Sequence, residues 1–332
     1  MKIFRTHIYI HVRIISLTSI LFMGTQTHSY AVPSRAPGQD FSESRSQKNI
    51  PMRSLSFIET STHKCAPANI NSKLTDIKKL THNANIKRAI VIGASSGMGR
   101  QVAKLLATEG GYEVGLVARR TELLETLQKE IPTKTYIKQI DVTEQEEART
   151  RLLELISEMG GLDLILISIS AFGDLIDMLS KEERDARTMS VDLLGFWAMA
   201  DIAVDFFEKQ KSGHLVGISS ISGVRGDAHC PVYSGAKAFI SRYLEGIRNY
   251  MIQSNIPVYV TDIMPGWVDN ERIKFSELPN TYWVTPLDKA GHQIYEAIQN
   301  KDKIAYISKR QILVKWALET APDWLYNGVG GF

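Results

Sequence analysis

Tyr233 and Lys237, in the run Tyr233-Ser234-Gly235-Ala236-Lys237, stand four residues apart and share one face of a helix. A free phenol, with a pKa near ~10, is a poor proton donor or acceptor at neutral pH. An ammonium beside it favours the phenolate. Bringing a phenol down by about 3 units takes roughly 4 kcal/mol of differential stabilisation. Ser220 lies 13 residues before Tyr233, at the end of the preceding strand, and its hydroxyl is suited to hold a carbonyl oxygen while the tyrosine moves a proton. The chemistry these three side chains offer is proton transfer at a carbonyl or an alcohol. A tyrosine and lysine at this spacing also occur on many solvated helix faces, so their meaning depends on what precedes them in the chain.

What precedes them reads as a place for a nucleotide. Ala89-Ile90-Val91-Ile92 is an apolar, largely β-branched run too short for a helix, and it ends in glycine. Gly93, Gly97 and Gly99 follow, and then a helical pattern of Val102, Ala103, Leu105 and Leu106. Strand, glycine turn and helix together present a helix N-terminus to a phosphate. Gly93 permits the tight turn, Gly97 the close approach of a pyrophosphate, and Gly99 the packing of helix on strand. Ser95, Ser96 and Met98 complete this turn and are counted with it as cofactor-binding. A second strand over 112–118 ends in Arg119-Arg120. At that strand end an acidic residue would bond the ribose 2′-hydroxyl of NAD, whereas an arginine accommodates the 2′-phosphate of NADP. Arg119 therefore points to NADP over NAD. Asp141-Val142 ends the third strand, where Asp141 serves either the adenine or the N-cap of the next helix, the two roles using different atoms.

The elements that must position these residues alternate. Helices are expected over 121–130, 143–159, 183–209, 232–253 and 286–300. Strands are expected over 135–140, 162–169, 215–219, 258–263 and 304–307. A loop-like, aromatic stretch covers 267–285. This pattern predicts an α/β fold, a Rossmann-like doubly wound parallel sheet of about seven strands with helices on both faces and ligands at the C-terminal strand ends.

The chain has 332 residues, 44% of them hydrophobic, enough for one large domain over 86–332. The formal net charge of +3 is uneven. Residues 1–85 hold 11 Lys and Arg against 4 Asp and Glu, which leaves 28 basic and 32 acidic residues for the remainder. The domain thus lacks a nucleic-acid footprint. Cys65 and Cys230 make neither a disulfide framework nor a zinc spacing, so no metal is expected. In residues 1–31, Lys2, Arg5 and Arg13 precede an apolar run over 14–23, and Ser29 and Ala31 are small. That is the pattern of a signal or targeting segment. The run is short for a membrane span of ~20 residues. Residues 32–85 read as a polar, largely disordered linker. A nicotinamide enzyme draws on a reduced cofactor pool, so a cytoplasmic location is expected, with export or organelle targeting as the alternative. The tail over 309–332 carries Trp316, Leu318, Trp324, Leu325 and Tyr326, suited to cover a cleft, contact a second copy, lie on a membrane surface or simply pack on the core.

The glycine run 93–99, Asp141-Val142, Ser220, the Tyr233–Lys237 motif and Pro265-Gly266-Trp267-Val268 together resemble the short-chain dehydrogenase/reductase family, in its compact single-domain branch, over about residues 87–310. The resemblance implies an NAD(P)-dependent oxidoreductase that interconverts a carbonyl and an alcohol of a small molecule. It implies Tyr233 as acid/base, Ser220 orienting the substrate, and Lys237 lowering the tyrosine pKa and bonding the nicotinamide ribose. Ser170 and Ala171 would lie along the cofactor, and the backbone of Pro265, Gly266 and Val268 would face the nicotinamide. A homo-oligomer through the two long helices is implied too. There are departures. Ile92 stands where the family has Thr, and Ser170-Ala171-Phe172 where it has Asn-Ala-Gly. Asp192, in Asp192-Leu193-Leu194-Gly195, replaces the family's fourth catalytic residue, an Asn whose backbone carbonyl holds a water in a proton relay. Asn270 replaces a Thr that often touches the cofactor amide. The substrate pocket would lie near 170–174, 229–232 and 267–283, whose aromatic content suits an apolar substrate. The alternative is a non-catalytic NAD(P)-binding sensor or scaffold. Epimerase chemistry on nucleotide sugars fits less well, because its GxxGxxG spacing and larger C-terminal domain are missing.

Overall fold

The computed structural model describes residues 86–171, 179–269 and 282–329. The expected targeting segment and linker, Phe172, Asn270 and most of the 267–285 loop lie outside these residues.

Strand β1 (Arg88–Ile92) is buried along its whole length, as its unbroken apolar run requires of a strand covered on both faces. It is flanked by β2 (Glu113–Ala118) and β4 (Leu164–Ile167), both parallel to it. Beyond β2 lies β3 (Thr135–Gln139), and beyond β4 lie β5 (Gly213–Ile218), β6 (Val258–Pro265) and β7 (Ile304–Ile307). The order is β3-β2-β1-β4-β5-β6-β7, with every pairing parallel. The order reverses between β1 and β4, and a crevice opens there at the carboxyl ends of the strands.

Two cores sandwich the sheet. One is built with α1 (Gly97–Thr108), α2 (Thr121–Gln128) and α7 (Leu287–Asn300), through Val102, Leu106, Leu124, Leu127 and Ile294. The other is built with α3 (Gln145–Met159), α5 (Phe196–Gln210) and α6 (Pro231–Gln253), through Leu152, Ile156, Phe196, Phe207, Ile240 and Leu244. Helices α8 (Gln311–Thr320) and α9 (Asp323–Val329) follow β7. Among the described residues no helix is long and apolar enough to cross a membrane, and no cluster of acidic, His and Cys side chains forms a metal site.

Three details differ from the sequence-based expectation. The helix expected over 183–209 starts earlier, with α4 (Lys181–Thr188), because Ser180 and Glu183 form a reciprocal capping box. It is then interrupted by a π-helical stretch, Met189–Gly195, before α5 resumes. The wider turn has Asp192 at its centre, and such turns are frequent at functional sites. The fourth strand spans only Leu164–Ile167, and just ahead of it the Asp163 carboxylate accepts from the Arg88 backbone N–H at 2.7 Å. Asp141 is not a helix N-cap. It accepts from the Thr143 N–H and hydroxyl in a tight turn, and the helix begins only at Gln145.

Candidate active site

The site has two ends. At the first, Gly93 and Gly97 adopt left-handed backbones, with φ of 91° and 58°. A Cβ at Gly93 would stand 2.1 Å from the Ser168 carbonyl oxygen, so only glycine lets the turn lie this close to the end of β4. Gly99 meets the Gly93 carbonyl oxygen, where a Cβ would sit at 2.3 Å, and this lets α1 pack on the turn. Gly97 has nothing within 4 Å of its Cβ position and borders open space.

That space is a cavity of ≈ 180 Å³ at the strand ends. Gly93, Ser95, Ser96, Gly97 and Met98 line it from the turn, Arg119 from the loop after β2, Asp141 and Val142 from the loop after β3, and Ser170 from the loop after β4. Gly99, Ala171, Pro265, Gly266 and Val268, also expected at the cofactor, are not in its wall. Ile140, Ser168, Ile169, Val191 and Arg120 are wall residues that the sequence reading did not single out. Arg120 is the informative one. Its guanidinium donates to the Ser95 hydroxyl at 3.4 Å, while the carbonyl of Arg119 accepts from Gln139. The doubled arginine was the available signal.

At the second end, α6 opens with Pro231 in its first turn, where the missing N–H costs nothing. Tyr233 and Lys237 then follow on successive turns. Lys237 is buried, with its Nζ 2.9 Å from Asp192 Oδ1 and donating to the Ile218 carbonyl at 3.3 Å. The same Nζ lies 5.6 Å from the Tyr233 ring centre. The second Asp192 oxygen accepts from the Ala171 N–H at 2.7 Å, so Asp192 ties the end of β4 to Lys237. The Ser220 hydroxyl accepts from Ser222 N–H and hydrogen-bonds Tyr233. Tyr233, Lys237, Ser220 and Asp192 are thus one contiguous cluster.

Electrostatics separate this cluster from a simple tyrosine–lysine pair. Burial pushes the Tyr233 phenol above its ordinary value; Lys237 and the Ser220 bond pull it down, and Asp192 pushes it up. Burial pulls Lys237 down, but Asp192 and Tyr233 more than offset that and hold the ammonium above its usual range. Lys237 therefore acts on Tyr233 in the direction expected, yet burial and Asp192 outweigh it in the chain alone. Asp192 also brings its carboxylate into the cluster, in addition to the backbone carbonyl to which the resemblance gives a role.

Pro265 and Gly266 end β6. The Gly266 N–H donates to the Ile307 carbonyl, and the buried side chain of Gln311 covers Gly266 so closely that a Cβ would lie 2.2 Å from its Nε2. No signal in the sequence pointed to Gln311. Val268 bridges to Thr285. Trp283, Val314 and Leu318 pack with Ile221, Val224, Trp267 and Tyr326, and Arg225 donates to the Leu318 and Ala321 carbonyls and to Asp323. Helices α8 and α9 are thereby fastened over the segment between Ser220 and Tyr233. Cys230, at the N-cap of α6, has its thiol pushed up to about 12 by burial, which makes it a poor nucleophile.

Residues 87–277 match the family described as short chain dehydrogenase. An uncharacterized oxidoreductase of Myxococcus xanthus (strain DK1622) is 33% identical over 196 residues, covering 58% of this chain and 76% of the relative. One from Staphylococcus aureus (strain USA300) is 29% identical over 222 residues, covering 65% of this chain and 92% of the relative. Among solved structures, ElxO with NADP bound superposes with a TM-score of 0.56 at 18% identity, over 67% of this chain and 97% of that one. Acetoin dehydrogenase YohF from Salmonella typhimurium does so with a TM-score of 0.54 at 18% identity, over 67% and 94%. At these identities the two structures establish the fold.

Proposed function

The chain belongs to the short chain dehydrogenase family as an NAD(P)-dependent oxidoreductase, and from there we propose that it prefers NADP and interconverts a carbonyl and an alcohol on a small molecule, with Tyr233 as acid/base. The observation that carries this reading is the convergence of Lys237 and Ser220 on Tyr233, at the same edge of the sheet as the glycine-turn cavity.

The cavity suits a dinucleotide. The left-handed Gly97 leaves open the space that a side chain would fill, and a helix N-terminus favours phosphate there. Arg119 and Arg120 on the cavity wall offer cations for a 2′-phosphate, with Ser95 held beside Arg120. When bound, the nicotinamide supplies or accepts the hydride. In the reducing direction the Ser220 hydroxyl holds the carbonyl oxygen, and Tyr233 gives its phenolic proton to the oxygen as it becomes an alcohol. Burial holds the phenol above its ordinary value in the chain alone, which favours the protonated form that reduction needs as its donor. In the oxidising direction the phenolate takes the alcohol proton, and Lys237 stabilises that charge.

One observation favours a second reading, a nucleotide-binding sensor without turnover. Asp192 neutralises the Lys237 ammonium that would otherwise assist the phenolate. Calorimetric titration of the full chain with NADPH and NADH, followed by NADPH oxidation with a panel of ketones and aldehydes, separates the two. NADPH binding at least about tenfold tighter than NADH, with turnover, supports the reductase. Tight binding with no turnover across the panel supports the sensor. Binding of neither nucleotide overturns both.

A further inference from the structure

One buried carboxylate at the catalytic end has no part in the chemistry above. Asp262 lies on β6 and is 1% exposed. Its Oδ1 accepts from the Ser219 hydroxyl at 2.5 Å and its Oδ2 from the Ser241 hydroxyl at 2.6 Å. Ser219 is the residue before Ser220, and its hydroxyl also reaches the Ile263 carbonyl at 3.2 Å. Ser241 is four residues beyond Lys237, on the same face of α6. One carboxylate on β6 thus grips both the strand end that carries Ser220 and the helix that carries Tyr233 and Lys237. Close approach of β5 to the helices is built in two residues earlier. A Cβ at Gly217 would meet Leu244 of α6 and Phe196 of α5 at 2.8 Å.

A buried ionised carboxylate is costly, and apolar side chains of similar volume commonly stabilise a core as well or better. What such a group supplies is direction, because two hydroxyls must converge on two fixed oxygens. The cations whose fields reach Asp262 are Arg248 and Lys237, both on α6. Arg248 spends its hydrogen bonds on the Val260 and Lys303 carbonyls. Direct hydrogen bonding at Asp262 is therefore left to the two serines.

We propose that Asp262 is a positioning residue: through Ser219 and Ser241 it sets the end of β5 against α6, so that Ser220 and Lys237 meet at Tyr233. Its kinetic consequence rests on the oxidoreductase reading given above, while its structural consequence does not.

The test uses the full chain with Asp262→Asn and, in case that variant fails to fold, Ser241→Ala. Amide hydrogen exchange needs no substrate. Exchange over 219–223, which includes the Ser222 N–H held by Ser220, is expected to quicken about tenfold in both variants, the loss of one hydrogen bond. The glycine turn over 93–99 should keep its protection. With NADPH and whichever carbonyl the parent chain reduces, kcat should fall about tenfold in Asp262→Asn at unchanged KM for NADPH. On a Ser220→Ala background the same change should cost less than about twofold, because the effect travels through Ser220. A merely stabilising residue would give additive losses. Unchanged exchange over 219–223 in the folded variants overturns the proposal whatever the kinetics show, and an additive cycle overturns it as well. A parent chain that turns over no carbonyl, but whose variants show the local exchange change, sinks the oxidoreductase reading and leaves the positioning role supported.

Discussion

The end proposed to hold the nucleotide and the end proposed to do the catalysis sit on one edge of one sheet, yet they are made differently. The first is mostly backbone: a glycine turn, a helix N-terminus and two exposed arginines around an open cavity. The second is buried charge, with Lys237 pressed against Asp192 and Asp262 within reach of its field. An open site made of amides and surface cations recognises a ligand with little interior cost. A closed site of ionised groups depends on each charge having its partner. Substitutions at the two ends should therefore fail in different ways, affinity at one and proton handling at the other.

The largest expected effect is at the catalytic end. Tyr233→Phe should lower kcat for carbonyl reduction by about 10²–10⁴-fold, the usual worth of a positioned acid, while the NADPH Kd moves less than about twofold. A comparable loss of NADPH affinity would dissolve the distinction between the ends. At the nucleotide end, Arg119→Ala with Arg120→Ala should weaken NADPH about 10- to 100-fold by calorimetry, leave NADH nearly unchanged, and preserve kcat at saturating NADPH.

The contrast also explains what the sequence made legible. The nucleotide end is contiguous. Gly93 to Gly99 and the arginine pair after β2 are local motifs, and the seven parallel strands follow from short apolar runs alternating with helical patterns. The fold read from the alternation, and the family read from these motifs together with Asp141-Val142, Ser220, the Tyr233–Lys237 motif and Pro265–Val268, are the ones found. The catalytic end comes from distant parts of the chain. Ala171 meets Asp192, Asp192 meets Lys237, and Ser219 meets Asp262, pairings that no spacing announces. The π-helical stretch at Asp192 was invisible because nothing in Met189–Gly195 tells a π turn from an α turn, and Gln311 lay in a tail whose apolar residues, not its glutamine, drew attention.

A buried histidine sharpens the comparison by separating loss of fold from titration of the site. His214 on β5 shares a hydrogen bond with Thr261 at 2.8 Å, and burial pulls its imidazole from 6.5 down to about 4. The unfolded chain takes up that proton near 6.5 and the folded chain only near 4. The neutral ring's contribution is full above the higher value and drains away as pH falls to the lower, a loss of about 3 kcal/mol. Urea unfolding between these pH values should show this slope in the parent chain and a shallower one in His214→Gln. An acid decline in activity that survives in His214→Gln belongs to the site.

The smallest shift in the pH profile concerns Asp192, which pushes the Tyr233 phenol up, although its loss costs stability by leaving the buried Lys237 ammonium without its carboxylate. Asp192→Asn keeps an acceptor for the Ala171 N–H and removes the charge. The alkaline limit of carbonyl reduction should move to lower pH, and oxidation should become available at lower pH. A pH profile of kcat/KM that does not move would separate Asp192 from the proton-transfer step.

The most direct test of the whole account is the pH dependence of kcat/KM in both directions on the nucleotide-loaded chain, with reduction and oxidation of the same carbonyl–alcohol pair. One phenol acting as acid for reduction and base for oxidation predicts opposed curves, with the oxidation midpoint at the lower pH because the positive oxidised nicotinamide favours the phenolate. Reduction falls as oxidation rises with pH, and both collapse in Tyr233→Phe. Curves that rise and fall together, or that persist at full rate in Tyr233→Phe, would contradict it.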